Sequence, residues 1–162
     1  MKFVCSKCGE EHDGLPALGL NSPDYWRSLH DDIRAKGYCG EDTCFTREGH
    51  FFIKGILAIP VQHSEHNSLE YGAWVSFDEE TYLSYEDLFD DPRRMTLDRL
   101  FGSLANEFVS FPASLGLHCQ LRPREPGTRP WILLSESNHE LSVAQRTGIS
   151  FERAQEIVHE TL

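Results

Sequence analysis

His50-Phe51-Phe52-Ile53-Lys54-Gly55-Ile56-Leu57-Ala58-Ile59-Pro60-Val61 is the most apolar stretch of the chain, and its reading sets the fold. Strand-forming residues run through it without polar alternation. That pattern predicts a central strand over 50–62, buried on both faces, with Gly55 marking a bulge or bend. A tight turn at Glu48-Gly49 joins it to a shorter strand over 43–47.

Outward from this strand, Glu70-Tyr71-Gly72-Ala73-Trp74-Val75-Ser76-Phe77 reads as the next strand, and Asp78 as the N-cap of a helix over about 79–90. Residues 100–109 fit strand or helix. Residues 115–121 and 131–134 form a hairpin across a Pro/Gly-rich tip. From about residue 139 the chain is helical in two pieces broken at Gly148. Upstream, Ser22 as N-cap and Pro23 at the first helical position start a helix that runs to about Lys36 and stops at Gly37. Strands in consecutive hairpins with helices at the edges predict an α+β class: an antiparallel sheet with flanking helices and an N-terminal zinc-knuckle-like segment. The expected organisation is one domain over 1–162. Residues 1–44 form a cysteine-rich metal-binding segment, 45–138 a sheet with an inserted helix, and 139–162 the C-terminal helices.

The N-terminal segment carries four of the five cysteines as two close pairs, Cys5-Ser6-Lys7-Cys8 and Cys39-Gly40-Glu41-Asp42-Thr43-Cys44. Two thiolates separated by two residues can wrap one Zn²⁺, and Gly9 permits the tight turn such a knuckle needs. The set Cys5, Cys8, Cys39 and Cys44 would close a tetrahedral, structural zinc site. Buried free thiols are the competing reading, and a redox dithiol at Cys5 and Cys8 is a third. Cys119 falls in a strand pattern and is expected in the core.

Composition narrows the function classes. The chain has 162 residues, 40% of them hydrophobic, and a formal net charge of −11. That charge disfavours nucleic acid and anionic membrane as partners and suits a basic protein partner. No apolar run reaches the roughly 20 residues that span a bilayer. The absence of a secretory h-region after Met1 and the odd cysteine count imply a reducing cytoplasm.

Across nearly the whole chain, a set of motifs resembles a bacterial domain-of-unknown-function family, DUF2199. These are Cys5-x-x-Cys8-Gly9-x-x-His12-x-Gly14-Leu15-Pro16, Asp42-x-Cys44, His50-Phe51-Phe52-Ile53-x-Gly55, Ile59-Pro60-Val61, Trp74-Val75-Ser76 and Gln145-x-x-Gly148-Ile149. The resemblance implies a single, bacterial, cytoplasmic domain and no particular activity. Cys5, Cys8, Cys44 and His12 sit at motif positions and Cys39 does not, which makes His12 the alternative fourth ligand.

Other constellations are weaker. His63-Ser64-Glu65-His66 places two imidazoles three apart with Glu65 or Glu70 as a base, but in a polar loop and without the HExxH placement. His12, Asp13 and His50 could line a cleft near the metal. Residues 143–158 follow helix-turn-helix spacing with Ile149, Ala154 and Ile157 facing inward. Glu152, Glu156 and Glu160 give the second helix the wrong sign for phosphates, so it reads as a packed corner. Asp78-Glu79-Glu80, Glu86-Asp87 and Asp90-Asp91 make one acidic face, with Tyr82, Tyr85 and Phe89 as the buried stripe of the same helix. Arg122, Arg124 and Arg129 flank the tip at Glu125-Pro126-Gly127-Thr128 and could grip a carboxylate or phosphate.

These readings together point to a zinc-stabilised cytoplasmic protein that acts by binding, with no catalytic activity inferred. A metal-assisted hydrolase and a small-molecule sensor, with Arg129 and Trp131 at the pocket rim, are the alternatives.

Overall fold

The computed structural model describes residues 2–63, 68–98 and 100–162. Strands β1 (Lys2–Val4) and β2 (Glu11–Asp13) form an N-terminal hairpin, followed by β3 (Leu18–Gly19). Helices α1 (Asp24–Ser28) and α2 (Asp31–Arg34) lead to β4 (Tyr38–Cys39), β5 (Thr43–Phe45), β6 (Phe51–Pro60) and β7 (Ser68–Phe77). Then come α3 (Glu79–Asp87), a 3₁₀ turn at Pro92–Thr96, β8 (Leu100–Leu104), β9 (His118–Arg122), β10 (Trp131–Leu134), α4 (Glu140–Thr147) and α5 (Phe151–Thr161).

The expected hairpin around the apolar run is present: β6 pairs antiparallel with β5 and, along its whole length, with β7. The sheet does not stay open. β7, β8, β9, β10 and β6 pair in that order, and β6 returns to β7, so five strands close a barrel. Closure is by parallel pairing of β10 with β6, at Trp131↔Ile56. This corrects the expected antiparallel sheet with flanking helices to a closed barrel with extra strands. The physical basis is strand length. Ten-residue β6 and β7 are about twice the usual strand, so one edge of each serves two neighbours: β5 and β10 on β6, β3 and β8 on β7.

Alternation along the two long strands sorts the core. Ile53, Leu57, Ile59, Leu69, Tyr71, Ala73, Val75 and Phe77 enter the main cluster. On the other face, Phe52 and Trp74 bury with Cys44 and Ala105, against Trp26 of α1. Burial on both faces of β6 is complete only near Phe52, because Lys54, Ile56 and Ala58 are half-buried. Gly55 is neither bulge nor break, since it pairs regularly with Ala73. A Cβ there would lie 2.8 Å from Ile132 Cγ1 and 2.9 Å from the Pro130 carbonyl, so glycine is what lets β10 approach and close the barrel.

The single helix expected over 22–36 is two short ones. Leu29 turns extended (φ −80°, ψ 150°), and His30 starts α2, whose first turn holds Asp31 and Asp32. Ser22 does not cap α1: Pro23 precedes it with no side-chain cap. Asp24 is drawn instead to Asn106 Nδ2 (3.1 Å) and the Glu107 amide (2.8 Å).

Farther along, Asp78 caps α3 by accepting from the Thr81 amide at 2.8 Å. Tyr82 and Tyr85 are buried, Phe89 is half-buried, and Glu79, Glu80, Glu86 and Asp90 are exposed. Gly148 (φ +82°) separates α4 from α5, and Ile149 donates to the Pro60 carbonyl at 2.8 Å, tying the corner to the end of β6. Ala154 and Ile157 are fully buried, as a packed corner requires, and this holds α5 against the barrel.

Candidate metal centre

The β1–β2 hairpin builds the centre from local geometry. Its ladder pairs Phe3 with His12 and Val4 with Glu11. Beyond the ladder, the Cys5 amide donates to the Glu10 carbonyl and the Gly9 amide to the Cys5 carbonyl, both at 2.8 Å. Gly9 sits at φ +75°, a left-handed conformation that glycine adopts without steric cost. This turn brings Cys8 beside Cys5, and β2 delivers His12 to the same side. The ligand atoms of Cys5, Cys8 and His12 all lie within 4.8 Å of one another. Cys8 Sγ is 3.2 Å from His12 Nε2. Cys5 is buried, His12 half-buried and Cys8 exposed.

The knuckle docks on α5. Ser6 Oγ donates to Gln155 Oε1 at 2.7 Å, Lys7 Nζ reaches Glu156 at 3.3 Å, and Phe3 packs edge-on against Phe151. His159, one turn beyond Gln155, places Nε2 3.0 Å from Cys5 Sγ. Burial alone would raise the Cys5 thiol. Hydrogen bonding to the Cys8 backbone, the His159 ring and the Lys7 backbone outweighs it and brings the thiol to about 6. A thiolate at neutral pH is the form that binds metal.

The four-sulfur set Cys5, Cys8, Cys39 and Cys44 is not assembled. Cys39 and Cys44 are cross-strand partners on β4 and β5, and Cys44 faces Phe52 on β6. That ladder holds them in the Phe52–Trp74 cluster on the barrel's outer face, whereas the knuckle sits on α5. Cys44 hydrogen-bonds to Cys39, which raises the Cys44 thiol and lowers that of Cys39. Of the two candidates for the remaining ligand, the structure brings His12 to Cys5 and Cys8 and leaves Cys39 apart. Cys119 is a core residue whose thiol burial pushes up to about 12.

The other constellations separate. Ser64, Glu65 and His66 lie outside the described residues. His50 packs on the Tyr25 ring, 4.2 Å between centroids, rather than near the knuckle. At the tip, Arg129 pairs with Asp42 at 3.1 Å, and Arg124 stacks over Trp131 at 3.8 Å. Both arginines, with Tyr85, Phe89 and Arg94, line a cleft of about 490 Å³ between α3 and the β9–β10 tip.

Sequence reasoning missed two residues that matter. Arg94 is buried and donates to the carbonyls of Phe89, Arg124, Glu125 and Thr128, clasping the tip from beneath. His159 lies in the acidic C-terminal helix, which the sequence marks as part of a packed corner and not as a source of ligands. The available signal was a pair of polar residues, Gln155 and His159, one turn apart on an otherwise amphipathic helix. With Cys5 and His12 they line an apolar cavity of about 250 Å³.

A family model described as uncharacterised protein conserved in bacteria (DUF2199) matches residues 4–149, a span that includes Cys5, Cys8 and His12 and ends before His159. No curated protein and no solved structure matches the chain. Among the described residues, no helix is long and apolar enough to cross a membrane.

Proposed function

The chain belongs to this bacterial family of uncharacterised proteins, and on that premise we propose that it is a zinc-stabilised, single-domain binding protein of the cytoplasm rather than an enzyme. One observation carries the reading: Cys5, Cys8 and His12 converge with their ligand atoms within 4.8 Å. Thiolate and imidazole donors in so compact a group select zinc over magnesium or calcium, which take oxygen.

Binding is favoured over metal-assisted hydrolysis by the surroundings of the group. Besides Cys5 and His12, the adjoining cavity is lined by Phe3, Leu15, Pro16, Gln155, Val158, His159 and Leu162. Among these, His159 alone could serve as a general acid or base, and its Nε2 is taken up by Cys5 Sγ at 3.0 Å. The exposed acidic face of α3 fits a basic protein partner. Glu152 and Glu160, exposed on α5, argue against nucleic acid. The test is elemental analysis of protein purified without added metal. About one zinc per chain, lost together with N-terminal stability in Cys5→Ser, is expected. Metal-free protein with an unchanged melting temperature would overturn the reading.

The cleft in which Arg94, Arg124 and Arg129 meet Asp42, Glu70 and Asp90 favours a second reading, a sensor of small polar molecules. Equilibrium dialysis against such compounds, with Arg129→Ala as the comparison, separates it from the first.

A further inference from the structure

We propose that His159 is the fourth metal ligand, completing a closed Cys5–Cys8–His12–His159 site that fastens the C-terminal helix to the N-terminal knuckle through a zinc-class divalent ion. This rests on the metal reading above and adds to it a residue, a coordination number and a role.

Three observations converge. The first is distance. A tetrahedral zinc, with Zn–S of about 2.3 Å and Zn–N of about 2.0 Å, holds its ligand atoms roughly 3.3–3.8 Å apart. Cys8 Sγ to His12 Nε2 is 3.2 Å, and Cys5 Sγ to His159 Nε2 is 3.0 Å. The two cysteines of the knuckle therefore each carry one histidine close to ligand–ligand spacing. His159 lies outside the compact three-residue group; it is exposed at the helix surface, and completing the site requires its imidazole to move toward Cys8 and His12.

Orientation is the second. Gln155, Glu156 and His159 lie within one turn of α5, and all three engage the knuckle, through Ser6, Lys7 and Cys5 respectively. The same side of the helix is thus already seated on the loop that would hold the ion. Cys5, His12 and His159 also share the wall of one cavity.

The third is supply of donors. A knuckle this short offers Cys5, Cys8 and His12, and a structural zinc takes four. Cys39 and Cys44, the other thiols of the N-terminal segment, are held on the β4–β5 ladder. His159 supplies the missing donor from 154 residues away. Four protein ligands leave no position for a substrate, so the site is structural. The ion closes a loop that encompasses nearly the whole chain, a large constraint on the unfolded state.

The experiment uses full-length protein stripped of metal and reloaded with Co²⁺ or Zn²⁺, comparing wild type, His159→Ala, His159→Cys and, as a control, His118→Ala. Loss of outer-shell partners already weakens metal sites 10–100-fold, so His159→Ala should weaken zinc binding by more than about 100-fold and broaden the tetrahedral cobalt bands. His159→Cys should restore tight binding with a stronger thiolate-to-cobalt absorption from a third sulfur. His118→Ala should match wild type. Wild-type protein that binds neither ion would overturn the metal reading and this inference with it. Tight binding by wild type, with unchanged affinity and spectrum in His159→Ala, would overturn this inference alone. Should His159→Ala not fold, a His159→Cys spectrum identical to wild type would do the same.

Discussion

Cys39 and Cys44 face each other across the β4–β5 ladder, one half-exposed and the other fully buried. The flanking Gly40 amide donates to the Thr43 carbonyl at 2.9 Å. The cysteines therefore occupy the adjacent non-hydrogen-bonded pair, where cross-strand side chains come closest. The Cys44 thiol beside it lowers the Cys39 thiol from its ordinary value, and Lys54 adds its positive field in the same direction.

A thiol map follows from this pair and the knuckle. Brief iodoacetamide treatment of zinc-loaded protein, read by mass spectrometry, should modify Cys39 and spare Cys44 and Cys119, whose thiols are raised and buried. Cys8 is exposed, so only metal can protect it. Chelation should expose Cys8 first and then Cys5. Equal labelling of Cys8 before and after chelation would contradict the metal site.

Acidification has a defined sign. The Cys5 thiol titrates at about 6 in the fold, against an ordinary 9.0. A depressed acid favours the folded state fully above about pH 9, and that contribution fades as pH falls toward 6. Metal-free protein should show a thiolate absorbance step at 240 nm near pH 6 that is absent in Cys5→Ser. Zinc, competing with the proton, should be released below that step. A first thiolate appearing only above pH 8 would count against the Cys5 environment described here.

Elements whose cause is local were legible in the sequence. The Asp78 cap, the Glu48-Gly49 turn and the Gly148 break each depend on a few neighbouring residues. Barrel closure was not, because it rests on Gly55 accepting Ile132 and on the meeting of β10 and β6 at Trp131↔Ile56, far apart along the chain. The candidate site divides in the same way. Cys5, Cys8 and His12 come from one hairpin and are visible as a motif, whereas His159 reaches Cys5 only once α5 has packed. The Cys39–Cys44 spacing suits a metal loop as well as it suits a two-residue hairpin, and the β4–β5 register is what seats the two as cross-strand partners.

Barrel closure predicts the cost of a single methyl group. Gly55→Ala should destabilise by about 1–3 kcal/mol through overpacking against Ile132 and the Pro130 carbonyl. Urea denaturation gives the value. A neutral or stabilising change would mean that β10 does not approach β6 as described.

On α3, Glu79→Gln/Glu80→Gln/Glu86→Gln should leave stability within about 0.5 kcal/mol, because all three side chains are exposed. Tyr85→Ala, by contrast, should cost about 3–5 kcal/mol. If the face docks a basic partner, the triple variant should also slow association and flatten its salt dependence. Recovery of the same partners by wild type and triple variant in a pull-down would end the docking idea.

Zinc K-edge X-ray absorption on the protein as purified is the most direct measurement of the proposed centre. A shell of two sulfurs at about 2.3 Å and two nitrogens at about 2.0 Å is expected. Four sulfurs would restore Cys39 and Cys44 to the site, and a shell of light atoms alone would show that the knuckle does not hold the metal.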